Sequence, residues 1–323
     1  MMMNIQINCA WNKVDKPYVT VITPVYNREF TLKRAFESIQ RQTFKDFEYI
    51  IIDDGSTDAS NDIARDFMNE TDIPIMLITK ENGGVHSARN AGIKNARGRV
   101  YSCLDSDDEF MPDGLEKLVR GWESIPKDIR DEYFEVKARC LDENGHEIGD
   151  RFPNEANKLP WSQAREIYES VKGEHCGLRP LHIMKENLWP EPIGITFVGE
   201  DIVWYKLRSF YKTWMINDCV QIYHTEGEDH IAADLIVKKK RNIQYVKNSL
   251  WNLTYQLNHF DLYGKGQNKN KKLMSRQMLR FVLLFHGEKP SDSKLIGLSN
   301  RLFSIMVAPF AAIEACLYLK MRM

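Results

Sequence analysis

The feature that most constrains this chain is an alternation, between Tyr18 and Leu104, of short β-rich runs with amphipathic helical runs. The β-rich runs are dominated by Val, Ile and Tyr and end in Pro, Asp-Asp-Gly or Asn-Gly-Gly, which favour turns. This alternation is typical of a parallel sheet covered by helices, so it predicts the order β-α-β-α-β-α-β. The predicted strands are Tyr18–Ile22, Glu48–Asp53, Ile73–Thr79 and Arg99–Leu104.

Charge and cysteine usage narrow the class of protein. The 44 Lys and Arg residues balance 45 Asp and Glu residues, so no nucleic-acid partner is expected. The six cysteines include no C-x-x-C pair and no histidine at zinc spacing, which predicts neither a disulfide framework nor a structural zinc. Residues 1–16 lack the continuous apolar segment of a signal peptide. Together these features predict a cytoplasmic protein.

The last third of the sequence is helical and basic in pattern. The largely apolar run Phe303–Leu319 is short for a membrane span and is interrupted by Pro309 and Glu314. A helix docked on the protein, a helix at a membrane surface and a span stay open as alternatives. Two basic runs, Lys238–Arg241 and Lys265–Lys272, are either solvated faces or contacts for anionic lipid headgroups.

Four polar clusters follow the predicted strands, at the edge where open α/β sheets bind ligands. TPVYN (23–27) follows the first strand and by itself is equally typical of a plain turn. DDGSTD (53–58) follows the second. Its carboxylates can accept a hydrogen bond from an imide N–H such as that of uracil, and the helix start beyond it suits an anion. The alternative is that Asp53 and Asp54 only cap a turn.

The third and fourth clusters add patterns suited to a phosphate and to a metal. NGGVHSARNAG (82–92) opens a helix with glycines, and its backbone N–H groups and Arg89 can hold a phosphate or a base. DSDD (105–108) brings together carboxylates that repel one another unless a cation lies among them. Hard oxygen ligands favour Mg²⁺ or Mn²⁺, whereas a solvated acidic turn is the alternative.

In this order and spacing, TPVYN, DDGSTD, NGGVHSARNAG and LDSDD resemble the nucleotide-sugar-binding half of the family 2 glycosyltransferases. The resemblance covers about residues 18–113 and is specific as a set, although each piece is common. It implies the GT-A fold, which is a Rossmann-like, mostly parallel sheet flanked by helices. It also implies an inverting sugar transfer from a UDP-sugar with a divalent ion, Mn²⁺ or Mg²⁺, as cofactor.

The resemblance assigns a role to each matching residue. Asp53, with Asp54 beside it, would read the uracil, and Arg89 would hold the base or phosphate. Asp105 and Asp107 would form the D-x-D pair that holds the ion on the sugar-nucleotide diphosphate. The implied nucleotide-binding residues are Thr23, Pro24, Tyr26, Asn27, Asp53, Asp54, Asn82, Arg89, Asp105 and Ser106, and the implied metal ligands are Asp105, Asp107 and His224.

Further along, GEDIVW (199–204) matches the acidic pair that the family places before a helix, which makes Asp201 the implied catalytic base. It would take the proton from the acceptor hydroxyl as that oxygen attacks the anomeric carbon. The alternative is that Glu200 and Asp201 only complement a helix dipole. His224 matches a family position near the metal or diphosphate, and a structural histidine is its alternative.

We predict three parts in the chain. Residues 1–17 are an amino-terminal extension, and residues 18–225 are a GT-A catalytic domain. Within that domain, 18–113 is the nucleotide-sugar-binding half and 114–225 the acceptor half. Residues 226–323 form a helical, partly basic carboxyl-terminal region.

The predicted function is metal-dependent, inverting transfer of a sugar from a UDP-sugar to a saccharide or lipid-linked oligosaccharide, in surface polysaccharide biosynthesis. The predicted location is the cytoplasm, with the inner face of the plasma membrane as an open alternative. Peripheral membrane contact through the carboxyl-terminal region and a homo-oligomer also stay open. The rival functions are a sugar-nucleotide nucleotidyltransferase and a non-catalytic module that binds a nucleotide sugar or a membrane.

Overall fold

A computed structural model describes residues 3–153, 155–159, 161–225, 248, 251–252 and 255–256. The chain divides into two compact units, of which the first comprises Met1–Leu188 with Phe210–Glu226. The second comprises Trp189–Ser209 with Gly227–Met323. The two basic runs and the apolar run at 303–319 lie outside the described residues.

The described part of the first unit contains one nine-stranded sheet. Its strands are β1 Asn4–Ile7, β2 Val19–Val25, β3 Phe47–Asp53, β4 Ile75–Thr79, β5 Val100–Cys103, β6 Glu109–Phe110, β7 Tyr133–Asp142, β8 His175–Pro180 and β9 Lys212–Tyr223. Their order in the sheet is β1-β4-β3-β2-β5-β8-β7-β9-β6. The central strands β4, β3, β2 and β5 run parallel, as do β7 and β9, while β1, β8 and β6 pair antiparallel with their neighbours. The four strands predicted from the sequence are therefore β2 to β5, and the prediction of a mostly parallel α/β sheet is confirmed.

Helices follow the strands of the parallel half, as the alternation predicts. In α1, the residues Leu32, Ala35, Phe36 and Ile39 recur at helical spacing, and all four are buried against the sheet. Phe36 stacks on Phe67 of α2 with ring centroids 4.3 Å apart. The helices are α1 Leu32–Gln40, α2 Ser60–Glu70, α3 Val85–Asn95, α4 Gly114–Glu123, α5 Trp161–Ser170, α6 Leu181–Glu186 and α7 Asp201–Arg208.

The two outer parts of the sheet differ from the sequence-based outline. Within the predicted extension 1–17, residues 4–7 form β1, which adds an edge strand to the sheet beside β4. The first predicted strand continues as β2 to Val25, so Thr23 and Pro24 lie within the strand and are buried. No strand was predicted after Leu104, where the structure forms the short strand β6 and then β7 to β9, and charged positions such as those of β7 hid the strand pattern.

Among the described residues, no helix is long and apolar enough to cross a membrane.

Candidate functional site

Hydrogen bonds join the loops after β2 and β3 at the carboxyl edge of the sheet. Asn27 is the single described non-glycine residue with a positive φ, 52°. Its side-chain Oδ1 accepts a hydrogen bond from the Thr57 N–H at 2.8 Å, and its own N–H donates to Ser56 Oγ at 3.0 Å. The left-handed backbone turns the chain sharply here, and asparagine tolerates that conformation better than most residues.

This contact is extended by the next residues of both loops. The Arg28 N–H donates to Ser60 Oγ at 2.6 Å, and the Glu29 N–H donates to Asp58 Oδ2 at 3.1 Å. These two hydrogen-bonded loops leave Tyr26 at the surface, where it is 46% exposed. Of the predicted nucleotide residues on β2 and its loop, only Tyr26 and Asn27 therefore reach the surface of this edge.

Asp53 ends β3 and is buried, with both carboxylate oxygens engaged by the protein. Oδ1 accepts from the Ser56 N–H at 2.9 Å, and Oδ2 accepts from Asn61 Nδ2 at 2.5 Å. The carboxylate therefore closes the turn into α2, which is the capping role that the sequence left open. Its predicted contact with a uracil ring stays a prediction.

Asp54 is also buried, and it joins the loop after β3 to the loop after β4. It forms an ion pair with Lys80, and both side chains are 3% exposed. Its two oxygens also accept hydrogen bonds from the N–H groups of Gly83, at 3.1 Å, and Gly84, at 2.7 Å. Burial raises the pKa of Asp54, against the opposing effect of Lys80.

Hydrogen bonds to the buried Asp54 carboxylate therefore hold the conformation of the glycine loop before α3. The Gly83 and Gly84 amides, which the sequence suggested for a phosphate, are used by Asp54. Gly55, with φ of 79°, lies so close to this loop that a Cβ would be 2.9 Å from the Asn82 N atom. Asn82 itself is exposed at the surface of the loop.

Arg89 and Asp105 join the third and fourth clusters. Arg89 lies on α3 and is largely buried, and its Nη2 is 3.1 Å from Asp105 Oδ1. Half of the Asp105 side chain is exposed, whereas the neighbouring Ser106 is buried. The structure thus brings these two clusters to one place, with the Arg89 guanidinium beside the half-exposed Asp105 carboxylate.

The remaining acids of the DSDD cluster differ in their surroundings. Asp107 is partly buried, and its carbonyl accepts a hydrogen bond from Arg34. Asp108 is buried and accepts from the His224 N–H at 3.0 Å and from Gln221 Nε2 at 2.6 Å. Burial, together with the charges of Asp105 and Asp107, raises the pKa of Asp108 to about 8.

His224 follows β9 and is held against the start of β6. Its Nε2 lies 2.9 Å from Glu109 Oε1, and Glu109 Oε2 lies 2.7 Å from Arg41 Nη2. Because a carboxylate only accepts hydrogen bonds, Nε2 carries the proton. The other ring nitrogen, Nδ1, is buried and has no hydrogen-bond partner.

The donor set at this edge suits a divalent cation in its chemistry. Asp105 and Asp107 offer hard carboxylate oxygens, and the buried Nδ1 of His224 is an unused nitrogen donor. Burial and then the charges of Asp105 and Asp107 raise the pKa of Asp108, and a cation would offset the effect of those two charges. However, no group of three or more His, Cys, Asp or Glu side chains is arranged as a metal site in the described part of the chain. The predicted trio therefore stays a prediction.

The predicted base, Asp201, lies in the second unit. It is the first residue of α7 and is exposed, and Glu200 is the residue before the helix. Glu200 Oε2 accepts a hydrogen bond from Trp204 Nε1 at 3.1 Å, which fixes one acid of the pair. Trp204 packs edge-to-face on Trp189 within this unit, with ring centroids 5.2 Å apart. The catalytic role of Asp201 stays a prediction.

Sequence reasoning missed two residues that organise the site. Lys80 follows β4 directly, before Glu-Asn-Gly-Gly. A single lysine there has no sequence pattern that distinguishes a buried ion pair from a surface charge. Glu109 continues the acidic run after Asp108, and its contact with His224 spans 115 residues of sequence. The sequence signal that could have identified Glu109 is its position at the end of this acidic run.

Comparisons with known proteins agree with this geometry. Residues 20–162 match the family described as Glycosyl transferase family 2. Over these residues the chain is similar to the family 2 glycosyltransferases, in agreement with the resemblance seen in its motifs.

Curated relatives carry the same class of name. Glycosyltransferase GlyA of Streptococcus pneumoniae is 43% identical over 102 residues, which are 32% of this chain and 14% of that protein. Putative glycosyltransferase EpsH of Bacillus subtilis is 39% identical over 107 residues, covering 33% of this chain and 31% of that protein. GalNAc(5)-diNAcBac-PP-undecaprenol beta-1,3-glucosyltransferase of Campylobacter jejuni is 26% identical over 67% of each chain. The chain thus spans about a third or less of the first two relatives.

Solved structures of GT-A glycosyltransferases share the fold. S. aureus TarS 1–349 in complex with UDP-GlcNAc superposes with a TM-score of 0.54 at 17% identity, over 89% of this chain and 78% of that chain. Mannosyltransferase PcManGT from Pyrobaculum calidifontis, in complex with GDP-Man and Mn²⁺, has a TM-score of 0.52 at 16% identity. That match covers 94% of this chain and 76% of the other. The GT-A fold predicted from the motifs is thereby confirmed.

Proposed function

We propose that this protein transfers a sugar from a UDP-sugar to a saccharide or lipid-linked saccharide acceptor. The observation that carries the proposal is the joining of four strand-end loops at one sheet edge. Asn27 ties the first loop to the second, Asp54 ties the second to the third, and Arg89 ties the third to Asp105 of the fourth. Open α/β sheets bind their ligands at this edge.

For the donor, the half-exposed Asp105 and the neighbouring Asp107 are the residues that would hold Mn²⁺ or Mg²⁺. A divalent ion bound there would neutralise charge on the leaving diphosphate. Arg89 holds Asp105 in place and brings a fixed positive charge to the same edge. Tyr26 presents an exposed ring beside the loops, suited to contact with the nucleotide. The complexes of TarS with UDP-GlcNAc and of PcManGT with GDP-Man and Mn²⁺ support this assignment.

For the acceptor, we propose an inverting reaction with Asp201 as general base. Asp201 is an exposed carboxylate at the start of α7, and a carboxylate within hydrogen-bond reach of the acceptor hydroxyl can take up its proton. A lipid-diphosphate-linked saccharide is the proposed acceptor class, because the Campylobacter relative is named for such a substrate. A role in surface polysaccharide assembly, at the inner face of the membrane, follows from that acceptor class.

The first experiment measures UDP release from a panel of nucleotide sugars with Mn²⁺, Mg²⁺ or EDTA. We expect release from one UDP-sugar, loss of release in EDTA and loss in Asp107→Asn. The matched control is Asp62→Asn, because the Asp62 side chain is 80% exposed on α2. Release that survives both EDTA and Asp107→Asn would refute the metal role.

A second variant tests the base and the rival functions. Asp201→Asn should retain UDP binding in calorimetry while acceptor-dependent UDP release falls by roughly 10²-fold or more. Unchanged release would remove Asp201 from the mechanism, and absence of release from every donor, with UDP still bound, would favour a binding module. Formation of diphosphate from a nucleoside triphosphate and a sugar phosphate would favour a nucleotidyltransferase.

A further inference from the structure

The first strand lies at one edge of the sheet. Among the described strands β1 is the outermost, and the strand it pairs with there is β4. Its register places Asn4 opposite Thr79 and Ile7 opposite Met76. In the part of the chain that the structure describes, no strand lies on the outer side of β1.

The backbone groups that β1 turns outward follow from its pairing. The Asn8 N–H donates to the Ile75 carbonyl at 3.1 Å, so position 8 points its backbone groups toward β4. In an antiparallel pair these directions alternate from residue to residue. Positions 4 and 6 therefore also face β4, whereas the N–H and C=O groups of Met3, Ile5 and Ile7 face away from the sheet.

The side chains at the same three positions form an exposed apolar row. Met3 is 48% exposed, Ile5 45% and Ile7 41%, and alternation places them on one face of the strand. Open strand edges are commonly protected from pairing by charged residues or proline. Residues 1–12 contain neither, and the first charged residue of the chain is Lys13.

The sequence of this edge is a palindrome, Asn-Ile-Gln-Ile-Asn at residues 4–8. We propose that β1 pairs antiparallel with β1 of a second copy of this chain, about a two-fold axis at Gln6. In this register Ile5 lies opposite Ile7 of the second copy, Asn4 lies opposite Asn8, and Gln6 lies opposite itself. The pairing is self-complementary, because Ile5 of each copy meets Ile7 of the other, and in a two-fold interface residue i contacts j while j contacts i.

The hydrogen-bonding pattern agrees with this register. Ile5 and Ile7 carry the outward backbone groups, so the two Ile5–Ile7 pairs are the hydrogen-bonded pairs. Gln6 then forms the close, non-hydrogen-bonded pair on the axis, where the two side-chain amides meet. Gln6 Oε1 already lies 3.4 Å from Arg65 Nε of α2, which orients the amide. The dimer joins the two sheets into one continuous sheet.

The isoleucine rows provide the apolar part of the interface. Ile5 and Ile7 of one copy pack beside Ile7 and Ile5 of the other, and cross-strand pairs of β-branched residues stabilise antiparallel sheets. Because the interface centres on one short strand, we expect reversible association with a dissociation constant on the order of 10 µM.

Sedimentation of the whole chain over a range of concentrations tests the proposal. We expect a monomer–dimer equilibrium that Ile5→Lys/Ile7→Lys weakens by roughly 10-fold or more, because like charges then face each other across the pair. Ile5→Lys/Ile7→Glu should restore the dimer, since the register places the new lysine opposite the new glutamate. Circular-dichroism melting of each variant checks that the fold is kept. A monomer at every concentration, or a dimer that Ile5→Lys/Ile7→Lys leaves intact, would overturn the proposal.

Cross-linking tests the position of the axis. In a Cys9→Ser background, Gln6→Cys should form a covalent dimer under mild oxidation, because position 6 faces itself at close range. The matched control, Met3→Cys in the same background, should not cross-link, because position 3 faces position 9 of the other copy. Equal cross-linking of the two variants would refute this register. Binding of the parent chain to uncharged phosphatidylcholine vesicles that Ile5→Lys/Ile7→Lys abolishes, without any dimer, would replace the second copy with a membrane.

Discussion

Breaking the buried ion pair between Lys80 and Asp54 is expected to destabilise the protein strongly. Both side chains are 3% exposed, so Lys80→Met leaves a carboxylate buried without its countercharge. Removing one partner of a buried ion pair costs about 3–5 kcal/mol. The Gly83 and Gly84 amides still donate to this carboxylate, so we expect the lower end, about 3 kcal/mol.

The assay is urea unfolding of the parent, Lys80→Met, Asp54→Asn and the double variant. The double variant buries no charge at this place, so its loss of unfolding free energy should be about 2 kcal/mol smaller than the sum of the two single losses. The control is Lys33→Met, because Lys33 is 80% exposed and its pair with Glu37 contributes about 0.5 kcal/mol or less.

The pH dependence of the variant gives an independent check. Burial already raises the pKa of Asp54, and Lys80 acts against that rise. In Lys80→Met the pKa of Asp54 rises further, so the folded chain takes up a proton more readily than the unfolded chain as pH falls. The loss of stability should therefore be smaller at about pH 5 than at about pH 8. A loss below about 1 kcal/mol, additive losses in the double variant, or an equal loss at both pH values would refute the reasoning.

Substitutions at three further positions have expected outcomes that thermal or urea unfolding can measure. Asn27→Ala forces a positive φ on alanine and should cost about 1–2 kcal/mol, while Asn27→Gly keeps the backbone and should cost less; equal losses would contradict the role of the backbone. Gly114→Ala should cost about 2 kcal/mol or more, because its Cβ would lie 2.4 Å from the Val220 carbonyl oxygen; a loss within error would show that the backbone there adjusts. Burial, followed by the charge of Lys137, lowers the pKa of His175 to about 4. Between pH 6.5 and 4 the unfolded chain therefore binds a proton that the folded chain does not, and the free energy of unfolding falls as pH falls. His175→Gln should reduce that fall by on the order of 2 kcal/mol, after allowance for partial exposure of the ring, and an unchanged slope would contradict the assignment.

The parallel half of the fold could be predicted from the sequence because its signals are local. The apolar run of β3 and the helical spacing of α1 each lie within about ten residues, and their flanking turns use Gly, Asn and Asp. Residues 114–225, the predicted acceptor half, lacked such signals. β7 contains Glu135, Lys137 and Arg139, and a strand with buried charges does not show apolar alternation. Glu135 can be buried because it pairs with Arg179, and Arg139 can be buried because it pairs with Glu147.

The site could be predicted in part for the same reason. The four motifs identified which loops meet, because the ends of parallel strands share one edge. The motifs did not show which carboxylates face solvent. Asp53, Asp54 and Asp108 are buried and bonded within the protein, whereas Asp105 is half exposed.

The sequence by itself determined the parallel α/β core, the motifs that resemble the family 2 glycosyltransferases and the strand-end loops that meet at one sheet edge, because periodicity, turn residues and motif spacing are properties of neighbouring residues. Only the tertiary structure decided the contacts of Lys80 and of Glu109 and the placement of β1 at the sheet edge. Each depends on segments brought together over long distances in sequence, where burial decides whether a charge or an apolar side chain finds a partner. No local pattern contains that information.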